Sequence, residues 1–142
     1  MKQYQTEDIR NIVVVGHGSE GKTTLVESML FASGAIDRAG RVEDGNTVSD
    51  FDAEEIRRGI SISASVAPVE WKGRKLNFVD VPGYFDFIGE MMGPMRVCEG
   101  AAIIVGSVSG VTVGAEKAWA SRPCSTCWPP ICRPRRAARS RA

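Results

Sequence analysis

Between a run of β-branched apolar residues, Asn11-Ile12-Val13-Val14-Val15, and a stretch with apolar residues at helical spacing lies Gly16-His17-Gly18-Ser19-Glu20-Gly21-Lys22-Thr23, which fits G-x-x-x-x-G-K-[ST]. The upstream run has the pattern of a parallel strand buried on both faces. Downstream, Leu25, Val26, Met29 and Leu30 recur at i, i+4 spacing from Lys22 to Ser33, and Gly34 stands where a helix C-terminus favours it. The motif therefore joins a strand to a helix, as phosphate binding requires. Its glycines let the backbone wrap an anion so that several N–H groups and the helix N-terminus point inward. Lys22 adds a mobile positive charge for β- and γ-phosphates, and the Thr23 hydroxyl can ligate Mg²⁺. The competing reading is a glycine-rich strand-to-helix turn with a surface lysine.

A carboxylate placed to complete such a site follows later. Phe78-Val79-Asp80-Val81-Pro82-Gly83 puts an acid at the end of a hydrophobic strand, before a Pro-Gly turn. Asp80 can hold Mg²⁺ directly or through water, and the Gly83 N–H can reach a γ-phosphate. Alone, such an Asp is as readily a helix N-cap or turn residue; a phosphate loop one strand away favours the metal role.

Between these blocks, Asp37 to Gly59 is rich in charge and glycine with little periodicity, a loop long enough to be functional or disordered. Ser63 to Trp71 alternates weakly and contains Pro68, which suits an edge strand. Lys72-Gly73 turns the chain into a second buried strand, Lys75 to Val79. Phe85 to Cys98 reads as a helix interrupted near Gly93-Pro94, Ala101 to Val105 as a strand, and Val111 to Trp119 as the start of another helix. The expected fold is α/β: a P-loop NTPase with a mostly parallel sheet, flanking helices and ligands at the C-terminal strand ends, here incomplete.

The 142 residues suit one domain, and 43% hydrophobic with 25% charged residues are ordinary for a globular chain. No apolar stretch approaches the length of a membrane-spanning helix and residues 1–10 are too polar for a signal peptide, so a cytoplasmic protein without membrane association is expected. The near-neutral net charge of +1 is unevenly spread: all 17 acidic residues lie at or before Glu116, whereas six of the 18 basic residues fall in the last 21 positions. Cys98 stands apart as a small core residue, while Cys124, Cys127 and Cys132 crowd the end, a distribution unlike a disulfide framework.

Four ordered blocks resemble the start of elongation factor G: Ile9 to Ile12; Gly16-His17 with Gly21-Lys22-Thr23-Thr24; Arg58-Gly59-Ile60-Ser61-Ile62; and Asp80-Val81-Pro82-Gly83-Tyr84-Phe85-Asp86-Phe87. Gly40 to Gly45 and Asp50 to Glu54 add to the likeness, which runs from about Ile9 to Trp119. The resemblance implies a translational GTPase that uses GTP/GDP and Mg²⁺ and docks on the ribosome, a monomer with no DNA partner. It implies nucleotide binding by Gly16, His17, Gly18, Ser19, Glu20, Gly21, Lys22, Thr23, Thr24, Asp80, Val81, Pro82, Gly83 and Tyr84. Metal ligation falls to Thr23, Ser61 and Asp80, and catalysis to Lys22, Ser61, Gly83 and Tyr84. The charged loop becomes switch I and Asp80 with Gly83 becomes switch II, segments ordered by γ-phosphate and Mg²⁺.

Three positions depart from the family pattern: Ser61 stands for a usual Thr, Ser19 for a usual Asp, and Tyr84 for a usual His. A phenol can donate or accept one hydrogen bond but is a poor base near neutrality, so turnover weaker than in a His-bearing relative is expected. Tyr84 aligns the chain with divergent elongation factor G-like variants rather than with the housekeeping factor.

From about Trp119 the composition shifts to Arg, Pro, Ala, Ser and Cys with no acidic residue, as in GC-rich DNA read out of frame. The division expected is 1–119 as the N-terminal part of a GTP-binding domain and 120–142 as a disordered or frameshift-derived tail. The guanine-reading Asn-Lys-x-Asp occurs nowhere in the chain. The tail admits two other readings: Cys124, Cys127 and Cys132 as three of the four ligands zinc requires, or the Arg133 to Arg141 run as an electrostatic RNA contact. For the whole, the rivals are a P-loop NTPase of other nucleotide preference and a non-catalytic fragment.

Overall fold

The computed structural model describes residues 3–121. After a short 3₁₀ turn, Thr6–Asp8, the elements run β1 (Ile9–Gly16), α1 (Lys22–Ala32), α2 (Ala53–Arg58), β2 (Ser65–Trp71), β3 (Arg74–Asp80), α3 (Ile88–Val97), β4 (Gly100–Ile104) and α4 (Val113–Ala120). A second 3₁₀ turn, Phe85–Phe87, leads into α3. Four strands form one sheet in the order β2-β3-β1-β4. β1 is parallel to both neighbours, and β2 joins β3 as an antiparallel hairpin. The sheet is thus mostly parallel, as the strand patterns predict.

Val13, Val14 and Val15 are each fully buried because both faces of β1 are covered. Val13 and Val15 face Met91, Met95, Cys98 and Ala118 of the α3–α4 side, and Val14 faces Val26 and Leu30 of α1 together with Ala67, Val69 and Phe78. Each such valine contributes on the order of 2 kcal/mol of apolar burial, which anchors the strand on which the glycine loop rests. Cys98 is a buried core residue, as expected.

At the hairpin, Lys72 and Gly73 have φ of 48° and 80°, the left-handed pair that a two-residue turn between twisted strands demands. Pro68 lies opposite Asn77 on β2, which is an edge of the described sheet. Two local expectations need correction. α3 runs through Gly93-Pro94 without a break: Met91 and Met95, one turn apart and buried, hold the helix to the core across the missing proline N–H. The loop 37–59 contains a helix, α2, whose N-terminus is closed by a reciprocal capping box between Asp52 and Glu55 and whose end is Gly59 in the left-handed region. Residues 122–142, with the zinc and RNA readings that rest on them, lie outside the described residues.

Candidate functional site

The strand order sets the site. Val14 of β1 lies opposite Asp80 of β3, so the chain leaving β1 at Gly16 and the chain leaving β3 at Asp80 emerge side by side. Gly16 packs against β4 so closely that a Cβ there would stand 2.6 Å from the Ile104 carbonyl oxygen. Gly21, φ 84°, turns the chain into α1, and Lys22 and Thr23 open that helix, both buried.

Gly83 seats the second strand's turn against the first. A Cβ on Gly83 would meet the Lys22 Nζ, and would lie 2.6 Å from the His17 carbonyl carbon and 2.7 Å from the Gly18 nitrogen. A side chain at Gly18 would likewise run into the Tyr84 ring. Two glycines are therefore required for two loops to interlock.

Lys22 Nζ donates to the His17 carbonyl at 2.6 Å across the loop. Burial pushes its pKa down from the usual lysine value, opposed by the charges of Asp80 and Glu20. Thr23 Oγ1 donates to Asp80 Oδ2 at 2.7 Å and lies 3.3 Å from Ser61 Oγ, which in turn donates to Asp50 Oδ1 at 2.7 Å. Four oxygen-bearing side chains from four segments thus meet at one corner. Asp80 is 1% exposed, and its second oxygen, Oδ1, is buried with no hydrogen-bond partner. Burial raises its pKa to about 6, against the lowering effects of the Thr23 hydroxyl and the Lys22 charge; Asp50 raises it further and Ser49 lowers it. Asp50 is shifted upward too, chiefly by burial.

An oxygen-only set of two carboxylates and two hydroxyls, with one buried carboxylate oxygen unsatisfied, suits a hard cation such as Mg²⁺. Among the described residues no group of three or more His, Cys, Asp or Glu competes as a metal site.

A cleft of about 440 Å³ opens beside this corner, lined on one side by Gly18, Ser19, Gly21, Lys22, Thr23, Thr24, Gly83 and Tyr84 and on the other by Val42, Glu43, Asp50 and the segment from Ile56 to Ser61. Of the residues singled out in the sequence, Gly16, His17, Glu20, Asp80, Val81 and Pro82 are not part of this lining. The His17 ring lies 5.9 Å from that of Phe85, its Nδ1 buried without a partner, and Gly114 presses on its backbone. Glu20 accepts from the Ser109 hydroxyl at 2.6 Å, tying the glycine loop to the turn after β4. The Tyr84 and Ser19 hydroxyls lie 3.1 Å apart, so two of the three positions that depart from the resembled pattern touch each other.

The sequence did not distinguish Asp50 from the other acids of its loop; nor did it mark Glu27 and Glu55, buried acids that bind the same loop.

This arrangement coincides with a match to the elongation factor Tu GTP-binding domain over residues 7–122. The chain belongs to that family. Similar curated proteins include elongation factor G 2 of Streptomyces coelicolor, 39% identical over 111 residues that make up 78% of this chain and 16% of that protein. Mitochondrial ribosome-releasing factor 2 of Candida dubliniensis is 41% identical over 78% of this chain and 14% of its own. The elongation factor G-like protein of Mycobacterium tuberculosis is 40% identical over 78% and 16%. A crystal structure of a Thermus thermophilus protein superposes with a TM-score of 0.78 at 40% identity, covering 80% of this chain and 17% of that one. A bacterial selenocysteine-specific elongation factor shares the fold, with a TM-score of 0.62 at 23% identity. The chain thus spans about one sixth of the length of these elongation factor G relatives. No helix among its described residues is long and apolar enough to cross a membrane.

Proposed function

We propose that the cleft binds GDP or GTP with Mg²⁺ and that the domain serves GTP hydrolysis by an elongation factor G-like factor acting on the ribosome. The observation that carries the reading is the meeting of Thr23, Ser61 and Asp80 beside a buried Lys22. Thr23 and Asp80 stand 57 positions apart in the chain yet share a buried hydrogen bond. Family membership supports a guanine nucleotide as the ligand, and the ribosome comes from the relatives' names.

In this reading the glycine loop presents its N–H groups and the α1 N-terminus to the phosphates. Lys22 exchanges the His17 carbonyl for β- and γ-phosphate oxygens, a stronger charge-assisted contact. Thr23 and Asp80 would hold Mg²⁺ with either nucleotide, directly or through water, Ser61 and Asp50 would join them when a third phosphate is bound, and the ion would supply charge neutralisation for the transferring phosphoryl group. Gly83 brings its N–H to the γ-phosphate end. Tyr84, at the cleft rim, offers one phenolic hydrogen bond to orient a water and cannot remove its proton efficiently near neutrality.

The test is displacement of a fluorescent GDP analogue from the full chain in Mg²⁺. GTP should compete, with affinity falling when the metal is chelated. Since no guanine-reading Asn-Lys-x-Asp occurs in the chain, ATP competing as well leaves the phosphate and metal reading in place. No binding at all, or binding indifferent to the metal, would end the reading.

A further inference from the structure

Thr23 and Glu27 sit one turn apart on the same side of α1, and while Thr23 reaches the metal corner, Glu27 reaches the loop that covers it. Glu27 is 1% exposed. Its two oxygens are taken by backbone N–H groups eight residues apart: Oε2 by Gly40 at 3.0 Å and Oε1 by Val48. A buried carboxylate is tolerable only when such donors replace water, so carboxylate and loop depend on each other. Val48 lies two residues before Asp50.

Glu55, 3% exposed, does the same from the other side. Its Oε1 accepts from Ile62 at 2.9 Å and Ser63 at 3.0 Å, the two amides that follow Ser61, and its Oε2 accepts from Asp52 at 3.3 Å, two residues after Asp50. The chain is therefore gripped on both sides of Asp50 and immediately beyond Ser61, the two loop residues at the metal corner.

We propose that Glu27 and Glu55 are positioning residues: by holding the backbone around Asp50 and Ser61 they set how strongly the site prefers a Mg²⁺-bound nucleoside triphosphate over the diphosphate. The inference rests on the nucleotide reading above. Glycine-loop amides serve either nucleotide, whereas Asp50 and Ser61 come from the loop, and only the third phosphate with its metal gains from having them in place. A ligand shifts a two-state segment by no more than its differential contacts, so weakening the grip spends triphosphate affinity on ordering the loop.

The test compares Glu27→Gln and Glu55→Gln in the full chain, with Glu54→Gln as control, a partly exposed neighbour whose carboxylate pairs with Arg57 and Arg58. Each glutamine keeps the volume but turns one acceptor into an NH₂ facing an N–H. Two quantities are measured: the ratio of dissociation constants for GDP and a non-hydrolysable GTP analogue in Mg²⁺, and amide exchange at Gly40, Val48, Ile62 and Ser63 without nucleotide. The affinity ratio should fall about tenfold in both variants, the weight of one charge-assisted hydrogen bond, with GDP affinity within about twofold and the control unmoved. The amides next to the altered carboxylate should exchange faster.

An unchanged ratio, or an equal loss of both nucleotides, overturns the proposal. Free exchange of Gly40 and Val48 in the unaltered chain also does so, with no variant needed. A chain that binds no GDP overturns the nucleotide reading itself, whereas GDP binding with an unmoved ratio overturns only the roles of Glu27 and Glu55.

Discussion

Asp80 is where the chemistry of this site is most exposed to test at the scale of one residue. Its folded-state pKa of about 6 lies above the ordinary 3.8, so the metal-free native state holds a proton that the unfolded chain releases. Stability from this group is present below about pH 4 and is lost as pH rises toward 6. A shift of about two units corresponds to about 3 kcal/mol. Asp50, raised in the same direction, adds to that slope. In chelator, the chain should therefore be less stable to urea at pH 7 than at pH 4.5, and Asp80→Asn should recover most of the difference while losing the Mg²⁺ dependence of GDP binding. A metal-free Asp80→Asn chain no more stable than the parent at pH 7 would show that the carboxylate is not strained by burial. Tyr84 carries a second prediction. Its phenol touches Ser19 and lines the cleft. Replacement by His installs a base titrating near neutrality, worth on the order of tenfold or more in turnover where proton transfer limits the rate. Single-turnover GTP hydrolysis by Tyr84→His reads this out, and an unchanged rate counts against a limiting role for the phenol.

The elements explain which features were legible. β1 could be read because a strand buried on both faces must be a continuous apolar run, and Val13-Val14-Val15 admits little else. β4 showed as the apolar run Ala101 to Val105, and β3 through Leu76, Phe78 and Val79 after the Lys72-Gly73 turn, although both are only partly buried. β2 showed its edge position through Pro68, and α1 its C-terminus through Gly34, which adopts a φ of 73° just after the helix. α2 was hidden because six residues carry no apolar period and bury only Glu55. Its signal was polar: Asp52 and Glu55 spaced as a capping box, ending at Gly59, a motif worth about 1 kcal/mol to a helix end. Pro94 misled in the opposite way. A mid-helix proline costs about 3 kcal/mol by intrinsic propensity, but tertiary burial of Met91 and Met95 on its two flanks outweighs that preference, and no local pattern records the balance. In the site, Lys22, Thr23 and Asp80 could be singled out because each belongs to a short motif with a mechanism. Asp50, Glu27 and Glu55 could not, since their distinction is burial, against loop amides for the two glutamates and against the Ser61 hydroxyl for Asp50, rather than a spacing along the chain.

At the scale of the molecule, the described sheet ends in β2 on one side and β4 on the other, and Val105, Val108 and Val111, which follow β4 in the chain, are exposed, as is Trp119 of α4. An open strand edge beside such a surface favours association of partly unfolded chains. Native stability and its ligand linkage therefore decide whether the chain can be handled as a folded domain. On the proposed reading GDP with Mg²⁺ binds the interlocked loops, which exist only in the folded state, so at a hundred times its dissociation constant it should stabilise the chain by about 2.7 kcal/mol. For a domain of this size that is a rise of roughly 10 °C in the midpoint of a cooperative thermal transition. GDP in chelator should give an intermediate shift, because the buried Asp80 oxygen then lacks a cation. Scanning calorimetry with and without each ligand separates the outcomes. A broad, ligand-indifferent transition would mean that the two loops do not interlock in solution, and would remove the basis for the nucleotide reading together with the loop grip built on it.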